Sequence, residues 1–300
     1  MPQHTPTAEP WHHLTLPVGG LNLHAVAAGS GSPVLLLHGF PDHWALWRPL
    51  LAPLAARHRV LAPDLRGINL SDKPLGVAAY RIDHLVSDVL ALIDHLGGRC
   101  ALVGHDWGGM LAWAVAARHP AAVSRLVILN APHPCRFAQQ LRVDPAQRAA
   151  SAYLRLLTAA GAEERLAEQH FERLWSVVAG STALPLSDAE RSVHVAAWSQ
   201  PGAITAMLNW YRALDVDAAL SPAGVHALPD LAGASGHISM PTLVLWGERD
   251  GSFPPACLDG LGALVPQLQL RRFPEAGHWL LREEPRAVAQ AVLNFLAATD

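Results

Sequence analysis

The chain alternates between short, continuous apolar runs and longer stretches in which apolar residues recur at helical spacing. Two β-type runs, at 11–18 and 21–28, flank Gly19-Gly20, which predicts a β-hairpin. Apolar runs typical of strands buried on both faces occur at 33–39, 59–65, 101–106 and 123–131. Helical patterns occur between these runs, at 44–56, 81–97 and 108–120. This alternation predicts a parallel sheet with right-handed crossovers.

The pattern changes in the second half of the chain. From about 132 to about 231 we find helical stretches and no convincing buried strand, and ASGH at 234–237 has the composition of a linker. Strands are predicted again at 241–250 and 268–277, with helices at 254–265 and 283–297. We therefore predict a doubly wound α/β core, residues 1–131 and 239–300, interrupted by a helical cap domain, residues 132–238.

Composition and charge narrow the class of protein. The 300 residues are 51% hydrophobic and 16% charged, with a net charge of −3, so neither a nucleic acid nor an anionic membrane is an expected partner. Cys100, Cys135 and Cys257 have no metal-binding or disulfide spacing. We find neither a signal peptide nor an apolar run of about 18 residues, so a soluble, cytoplasmic protein is expected. The oligomeric state, monomer or homodimer, stays open.

The segment GHDWG at 104–108 places Asp106 between a buried strand and a helix. Hydrolases that use such a bend usually carry serine at its centre, and small residues flank it because strand and helix crowd each other there. Gly104, Gly108 and Gly109 meet that need, and the Trp107 N–H lies at a helix N-terminus. The alternative interpretation is that Asp106 only caps the helix.

Five motifs, in order along the chain, resemble those of the α/β-hydrolase fold family and, within it, the epoxide hydrolases. They are HGFP at 38–41, DLRG at 64–67, GHDWGG at 104–109, NAPHP at 130–134 and GHW at 277–279. The resemblance implies that the backbone N–H groups of Phe40 and Trp107 form an oxyanion hole. One departure is Ile68-Asn69, where family members commonly have an aromatic-Gly pair; Asn tolerates left-handed backbone angles better than most residues.

The acid and the base are predicted at the ends of two later strands. The order nucleophile, acid, histidine of this fold assigns Asp250 and His278, each of which follows a predicted strand. Glu248 is a nearby competitor of Asp250, and the family pattern favours Asp250. Asp250 would orient the imidazole of His278, which would then take a proton from water.

A carboxylate nucleophile suits substitution at a saturated carbon. It forms an ester that water can cleave, whereas serine would form a stable ether. Epoxides and alkyl halides are the two candidate substrate classes. The resemblance implies that Tyr153 and Tyr211 form the pair that holds an epoxide oxygen. The side chains expected at the substrate are Phe40, Trp107, Trp210 and His105.

We therefore expect a small apolar epoxide and water as the partners of the site, with no metal and no organic cofactor. The first alternative is a haloalkane or haloacid dehalogenase with the same Asp106 nucleophile. Indoles such as Trp107, Trp175, Trp198 and Trp210 could then donate to the halide. The second alternative is a hydrolase-like binding protein without catalytic activity.

Overall fold

The computed structural model describes residues 11–180, 186–214 and 236–298. Eight strands form one sheet in the order β1-β2-β4-β3-β5-β6-β7-β8. Their bounds are β1 His12–Val18, β2 Leu21–Ala28, β3 Ser32–Leu37, β4 His58–Pro63, β5 Cys100–His105, β6 Val123–Leu129, β7 Thr242–Gly247 and β8 Leu268–Phe273. The first pair, β1 and β2, is antiparallel, which confirms the predicted hairpin. Strand β2 is antiparallel to β4, and the other pairs are parallel.

Helices cover both faces of the sheet and divide the core into two clusters. The core helices are α1 Arg48–Ala55, α2 Ile82–His95, α3 Trp107–Arg118, α10 Leu280–Glu283 and α11 Pro285–Ala297. Side chains of β5 alternate between the clusters: Leu102 packs with α2 and α3, whereas Val103 packs with α1 and α11. This two-sided burial explains why the central strands are continuous apolar runs. The predicted α/β core, a mostly parallel sheet with helices on both faces, is confirmed.

Between β6 and β7, the described residues form helices and no strand. These inserted helices are α4 Pro134–Val143, α5 Pro145–Ala150, α6 Tyr153–Thr158, α7 Ala162–Gly180, α8 Asp188–Trp198 and α9 Ala203–Arg212. Non-helical backbone angles at Glu168–Phe171 interrupt α7.

Indole hydrogen bonds join the inserted helices to the core. Trp198 donates to the Pro41 carbonyl at 2.7 Å and Trp210 to the Arg66 carbonyl at 3.0 Å. From the core, Trp279 donates to the Val177 carbonyl at 3.2 Å. The division into core and cap at residues 132 and 238 stays a prediction.

Two of the predicted helices differ in the structure. The segment 254–265 forms two short 3₁₀ helices, Pro255–Leu258 and Leu261–Ala263, because Gly260 between them adopts a left-handed φ of 70°. The segment 283–297 contains a boundary at Glu284, since Pro285 begins a new helix, α11. The predicted linker lies partly outside the described residues. None of the helices in the described ranges is long and apolar enough to cross a membrane.

Candidate active site

A strained bend between β5 and α3 carries Asp106. Its backbone φ of 52° and ψ of −123° lie in a region that residues other than glycine rarely adopt. The flanking glycines are required by space: a Cβ at Gly104 would lie 2.4 Å from the Gly108 carbonyl oxygen, and one at Gly108 would lie 2.0 Å from that of Leu37. The bend therefore raises the Asp106 side chain above the carboxyl ends of the central strands.

Two backbone N–H groups hydrogen-bond the Asp106 carboxylate. The Phe40 N–H donates to Oδ1 at 2.8 Å, and the Trp107 N–H also hydrogen-bonds the carboxylate. Burial raises the pKa of Asp106 above its usual range, while the His278 charge and these two N–H groups oppose the shift. The donors are the pair expected from the sequence.

His278 lies between two carboxylates. Its Nδ1 is 2.8 Å from Asp250 Oδ2, and its Nε2 is 3.7 Å from Asp106 Oδ2. Burial lowers the pKa of His278, but the nearby charges of Asp250 and Asp106 outweigh burial and raise it to about 9. In the resting site, therefore, the imidazole carries a proton at neutral pH.

Asp250 is itself fixed by a set of donors. Its Oδ1 accepts the N–H groups of Ser252 and Phe253 at 2.8 and 3.1 Å. Its Oδ2 accepts Asn130 Nδ2 at 2.8 Å in addition to the His278 imidazole. Burial would raise the pKa of Asp250, but His278, Asn130 and the Ser252 N–H hold it below its usual value. Asp250 is thus an oriented, ionised acceptor.

Sequence reasoning missed the role of Asn130, the residue after β6. Its φ is 40°, and its Oδ1 accepts the Gly247 N–H at 2.9 Å while its Nδ2 reaches Asp250. Asn130 therefore joins the ends of β6 and β7 and orients Asp250 between them. The sequence does contain a signal for this role, because an Asn follows a buried strand directly, within the NAPHP motif. Asn is one of the few residues that tolerate the left-handed φ needed at such a position.

Tyr153 begins α6 and Tyr211 lies in the last turn of α9, and both face the Asp106 carboxylate across one cavity. The Tyr153 hydroxyl hydrogen-bonds with Ser252, and that of Tyr211 with the Trp107 side chain. Burial raises the pKa of both phenols, and the negative charge of Asp106 raises each further. Both phenols are therefore neutral proton donors at physiological pH.

The main cavity at Asp106 has a volume of about 360 Å³. A smaller cavity of about 50 Å³ shares Asp106, Tyr153 and Tyr211 with it. The large cavity is lined by Phe40, Asp106, Tyr153, Leu156, Leu157, Ala162, Arg165, Leu166, Arg173, Leu174, Val177, Tyr211, Ser252, His278 and Trp279. Its walls are mostly apolar, and its charged side chains are those of Asp106, His278, Arg165 and Arg173.

Two of the predicted substrate contacts lie elsewhere. Trp210 is absent from the lining of the main cavity because its indole donates to the Arg66 carbonyl and its ring packs on Trp107. His105 is also absent, since it lies under His278 with Nε2 bonded to the His278 carbonyl oxygen at 2.9 Å. Burial lowers the pKa of His105 to about 3, so it is neutral. Of the other two, Phe40 lines the main cavity and Trp107 the smaller one.

At the Ile68-Asn69 departure, the chain after DLRG passes through a left-handed conformation at Asn69. Asn69 adopts a φ of 44°, and its Nδ2 donates to the buried Asp64 Oδ2 at 2.8 Å.

Within the described ranges, no group of three or more His, Cys, Asp or Glu side chains is arranged to hold a metal ion.

Comparisons with known proteins identify the family of this chain. The α/β-hydrolase fold profile matches residues 32–285. The Bacillus subtilis (strain 168) protein named AB hydrolase superfamily protein YfhM is 36% identical over 283 residues, which cover 92% of this chain and 95% of that protein. Human epoxide hydrolase 4 is 33% identical over 288 residues, covering 92% of this chain and 76% of its own length.

Comparison with solved structures also finds an epoxide hydrolase. A crystal structure of Bacillus megaterium epoxide hydrolase in complex with an inhibitor superposes with a TM-score of 0.87 at 32% identity, covering 95% of this chain and 100% of that one. The chain thus belongs to the α/β-hydrolase fold family. Within that family it belongs with the epoxide hydrolases, to which it is similar over nearly its whole length.

Proposed function

We propose that this protein hydrolyses epoxides to vicinal diols through a covalent ester on Asp106. The observation that carries the proposal is the placement of a carboxylate and two neutral phenols, Asp106, Tyr153 and Tyr211, on the walls of one largely apolar cavity. An epoxide between them would have a nucleophile at its carbon and two donors at its oxygen.

The first step opens the ring. Asp106 Oδ2, the oxygen not held by the Phe40 N–H, attacks an epoxide carbon, and the bond from that carbon to the ring oxygen breaks. Tyr153 and Tyr211 donate hydrogen bonds to the developing alkoxide, and one of the two phenols transfers its proton, so that the alkoxide becomes a hydroxyl and the phenol a phenolate. The product is a hydroxyalkyl ester in which Oδ1 has become a carbonyl oxygen still held by the Phe40 N–H group. The Trp107 N–H, which also bonds the carboxylate, is the second donor of the proposed oxyanion hole.

The second step regenerates the carboxylate. His278, oriented by Asp250, takes a proton from a water molecule, and the hydroxide attacks the ester carbonyl carbon. The negative charge that develops on Oδ1 lies at the two N–H donors. The tetrahedral intermediate then releases the diol, which leaves with the former Oδ2 and receives the proton from His278, while the carboxyl proton left on Asp106 returns to the phenolate and restores both the phenol and the carboxylate. The atom from water stays on Asp106.

One observation speaks against the dehalogenase alternative. The Trp107 side chain, a candidate halide donor, hydrogen-bonds with Tyr211 instead. The Phe40 side chain has no N–H or O–H to donate. The site is therefore better suited to an oxygen leaving group, which needs a proton, than to a halide.

Isotope labelling tests the ester route directly. One turnover with excess enzyme in heavy-oxygen water should give an unlabelled diol and a labelled Asp106, because the diol oxygen comes from the carboxylate. A heavy label in the first diol would exclude the ester. As a second test, His278→Gln should accumulate the ester, which intact-protein mass spectrometry would detect as the added mass of one substrate. The matched control, His278→Gln with Asp106→Asn, should stay unmodified.

A further inference from the structure

A buried glutamine of the inserted helices, Gln147, bonds to the segment that follows Asp250. Gln147 lies on α5 and has no exposed surface. Its Nε2 donates to the Ser252 carbonyl oxygen at 2.9 Å and to Ser151 Oγ at 3.0 Å. Its Oε1 accepts a hydrogen bond from Cys257 Sγ at 3.0 Å. Both ends of the amide are therefore engaged, and the proposed reaction assigns no role to it.

The orientation of the Gln147 amide follows from its neighbours. Burial raises the pKa of Cys257 to about 12, so the sulfur that faces Oε1 is a thiol, which can donate. A flipped amide would place its oxygen against the Ser252 carbonyl oxygen, and neither of these atoms carries a hydrogen. The amide N–H groups therefore face Ser252 and Ser151.

Ser252 connects this amide to the groups that carry the proposed chemistry. Its N–H donates to Asp250 Oδ1 at 2.8 Å, and its side chain hydrogen-bonds with the Tyr153 hydroxyl. Its carbonyl oxygen is the acceptor for Gln147. All three polar groups of Ser252 are thus engaged, the first by the acid, the second by a phenol and the third by an inserted helix.

The other acceptor of the amide, Ser151, lies beside Tyr153 in the chain. Ser151 directly follows α5, and Tyr153 begins α6 two residues later. Ser151 is buried, and its carbonyl oxygen accepts the Leu154 N–H at 3.1 Å within the first turn of α6. One amide therefore holds both sides of the contact between Tyr153 and Ser252.

The segment 251–254 has no regular structure that could hold Ser252 in place. It lies between the end of β7 and the 3₁₀ helix Pro255–Leu258, and it contains neither helix nor strand. Its position therefore depends on individual hydrogen bonds, of which the one from the buried Gln147 amide comes from outside the core sheet.

We propose that Gln147 is a positioning residue that acts through Ser252 on both steps of the reaction. This inference rests on the proposed function. Ring opening uses the Tyr153 hydroxyl, and ester hydrolysis uses the imidazole that Asp250 orients. A displacement of Ser252 would misplace a proton donor of the first step and the acid of the second, and small misplacements of such groups are costly.

Single-turnover kinetics of Gln147→Met tests the proposal. Methionine has a similar length and no N–H or carbonyl group in its side chain, so the shape is largely kept and the three hydrogen bonds are lost. With an apolar epoxide such as styrene oxide, ester formation and ester decay should each slow roughly tenfold. Intact-protein mass spectrometry of quenched samples measures both rates.

A double-variant cycle with Tyr153→Phe separates positioning from a general loosening of the fold. Tyr153→Phe lacks the hydroxyl that Gln147 would position and keeps Tyr211 as a donor. In this background Gln147→Met should slow ester formation by no more than about twofold. Ester decay should still slow by the full factor, because that step depends on Asp250. A merely structural role would give the same loss of ester formation in both backgrounds.

Gln140→Met is the matched control. Gln140 is buried on α4, and its Nε2 donates to the Ala256 carbonyl at 3.0 Å. The control thus removes a buried amide bond from an inserted helix to the same loop, but leaves the bonds of Ser252 intact. It should lower the Tm about as much as Gln147→Met and leave both rates close to those of the wild type.

Cys257→Ala is a milder variant that carries the test if Gln147→Met does not fold. It removes one of the three bonds of the Gln147 amide and keeps both N–H donors. Because the amide is then free to rotate, both steps should slow in the same direction, roughly threefold. Wild-type rates of both steps in this variant would then overturn the proposal.

Three further outcomes would overturn the role of Gln147. They are wild-type rates of both steps in a folded Gln147→Met protein, equal rate losses in Gln140→Met, and an undiminished loss of ester formation in the Tyr153→Phe background. Each leaves epoxide hydrolysis by the wild-type protein in place and so refutes the positioning role alone. If the wild-type protein forms neither ester nor diol, the proposed function fails and the positioning role fails with it.

Discussion

The buried carboxylate of Asp42 offers a quantitative test of how the inserted helices are attached to the core. Asp42 follows the loop that carries the Phe40 N–H and is completely buried. Its Oδ1 lies 2.6 Å from Arg282 Nη2 and 2.9 Å from His194 Nε2. Arg282 is four residues after His278, and His194 lies on α8. One carboxylate therefore contacts both α10, the helix that follows His278, and an inserted helix.

Replacing Asp42 with Asn keeps the shape but removes the charge that faces Arg282. Breaking a buried ion pair on one side costs about 3–5 kcal/mol, since the remaining charge stays buried without its partner. With an unfolding entropy of about 2.1 cal/mol/K per residue, this loss corresponds to a fall of roughly 5–8 °C in Tm for a chain of this length. Thermal unfolding followed by circular dichroism measures the change.

The same substitution should change the pH profile of ester hydrolysis. The negative charge of Asp42 is one of those that raise the pKa of His278. His278 must be neutral to take a proton from water, so the rate rises as pH passes this pKa. Removing the Asp42 charge lowers the pKa and should move the rising limb to lower pH.

Asp88→Asn is a matched control for a buried ion pair away from the site. Asp88 is nearly buried and makes two bonds of 2.7 Å to Arg66. Its loss should lower the stability comparably and leave the pH profile in place. Unchanged stability of Asp42→Asn, or an equal shift of the pH profile in Asp88→Asn, would refute the reasoning.

Three further predictions concern the site itself. Asn130→Ala should cost about 1–3 kcal/mol, because the buried Gly247 N–H loses its acceptor, and ester hydrolysis should slow more than ester formation in quenched-flow experiments. The rate of ester hydrolysis should rise with pH, with a midpoint below 9, because conversion of Asp106 to a neutral ester removes one of the charges that raise the pKa of His278. A midpoint above 9 in the measured rate of ester decay would contradict this. Tyr153→Phe with Tyr211→Phe should abolish ester formation from epoxides but spare attack on an alkyl bromide, measured as bromide release.

The sequence predicted those features that depend on local geometry. The bend at Asp106 needs glycines at fixed neighbouring positions, and a parallel sheet brings the ends of its strands to one edge. For that reason Asp106, Asp250 and His278 could be expected together before any coordinates were known. The left-handed conformation of Asn69 was likewise foreseeable from its residue type.

Features that depend on distant contacts were not predicted. Trp210 resembles a substrate contact in its sequence context, but a backbone carbonyl of the core, at Arg66, takes its indole N–H. The contact between Asp42 and His194 joins residues 152 positions apart, and no periodicity in the chain encodes it. The segment 254–265 was wrongly predicted as a helix because its apolar residues outweighed Gly260 in the pattern.

The proposed mechanism also accounts for a carboxylate at a bend where hydrolases usually carry serine. With serine, the oxygen that becomes charged belongs to the substrate, so the oxyanion hole must be open to receive it. In the proposed mechanism that oxygen is Oδ1 of Asp106, which the Phe40 N–H already holds at 2.8 Å. The second oxygen faces His278 at 3.7 Å and remains available for attack. We therefore expect that Asp106→Ser does not convert this site into an esterase. In the proposed mechanism Tyr153 and Tyr211, which line the same cavity as Asp106, bind an alkoxide rather than a planar acyl group. Esterase activity of Asp106→Ser comparable to the wild-type rate on epoxides would contradict this account.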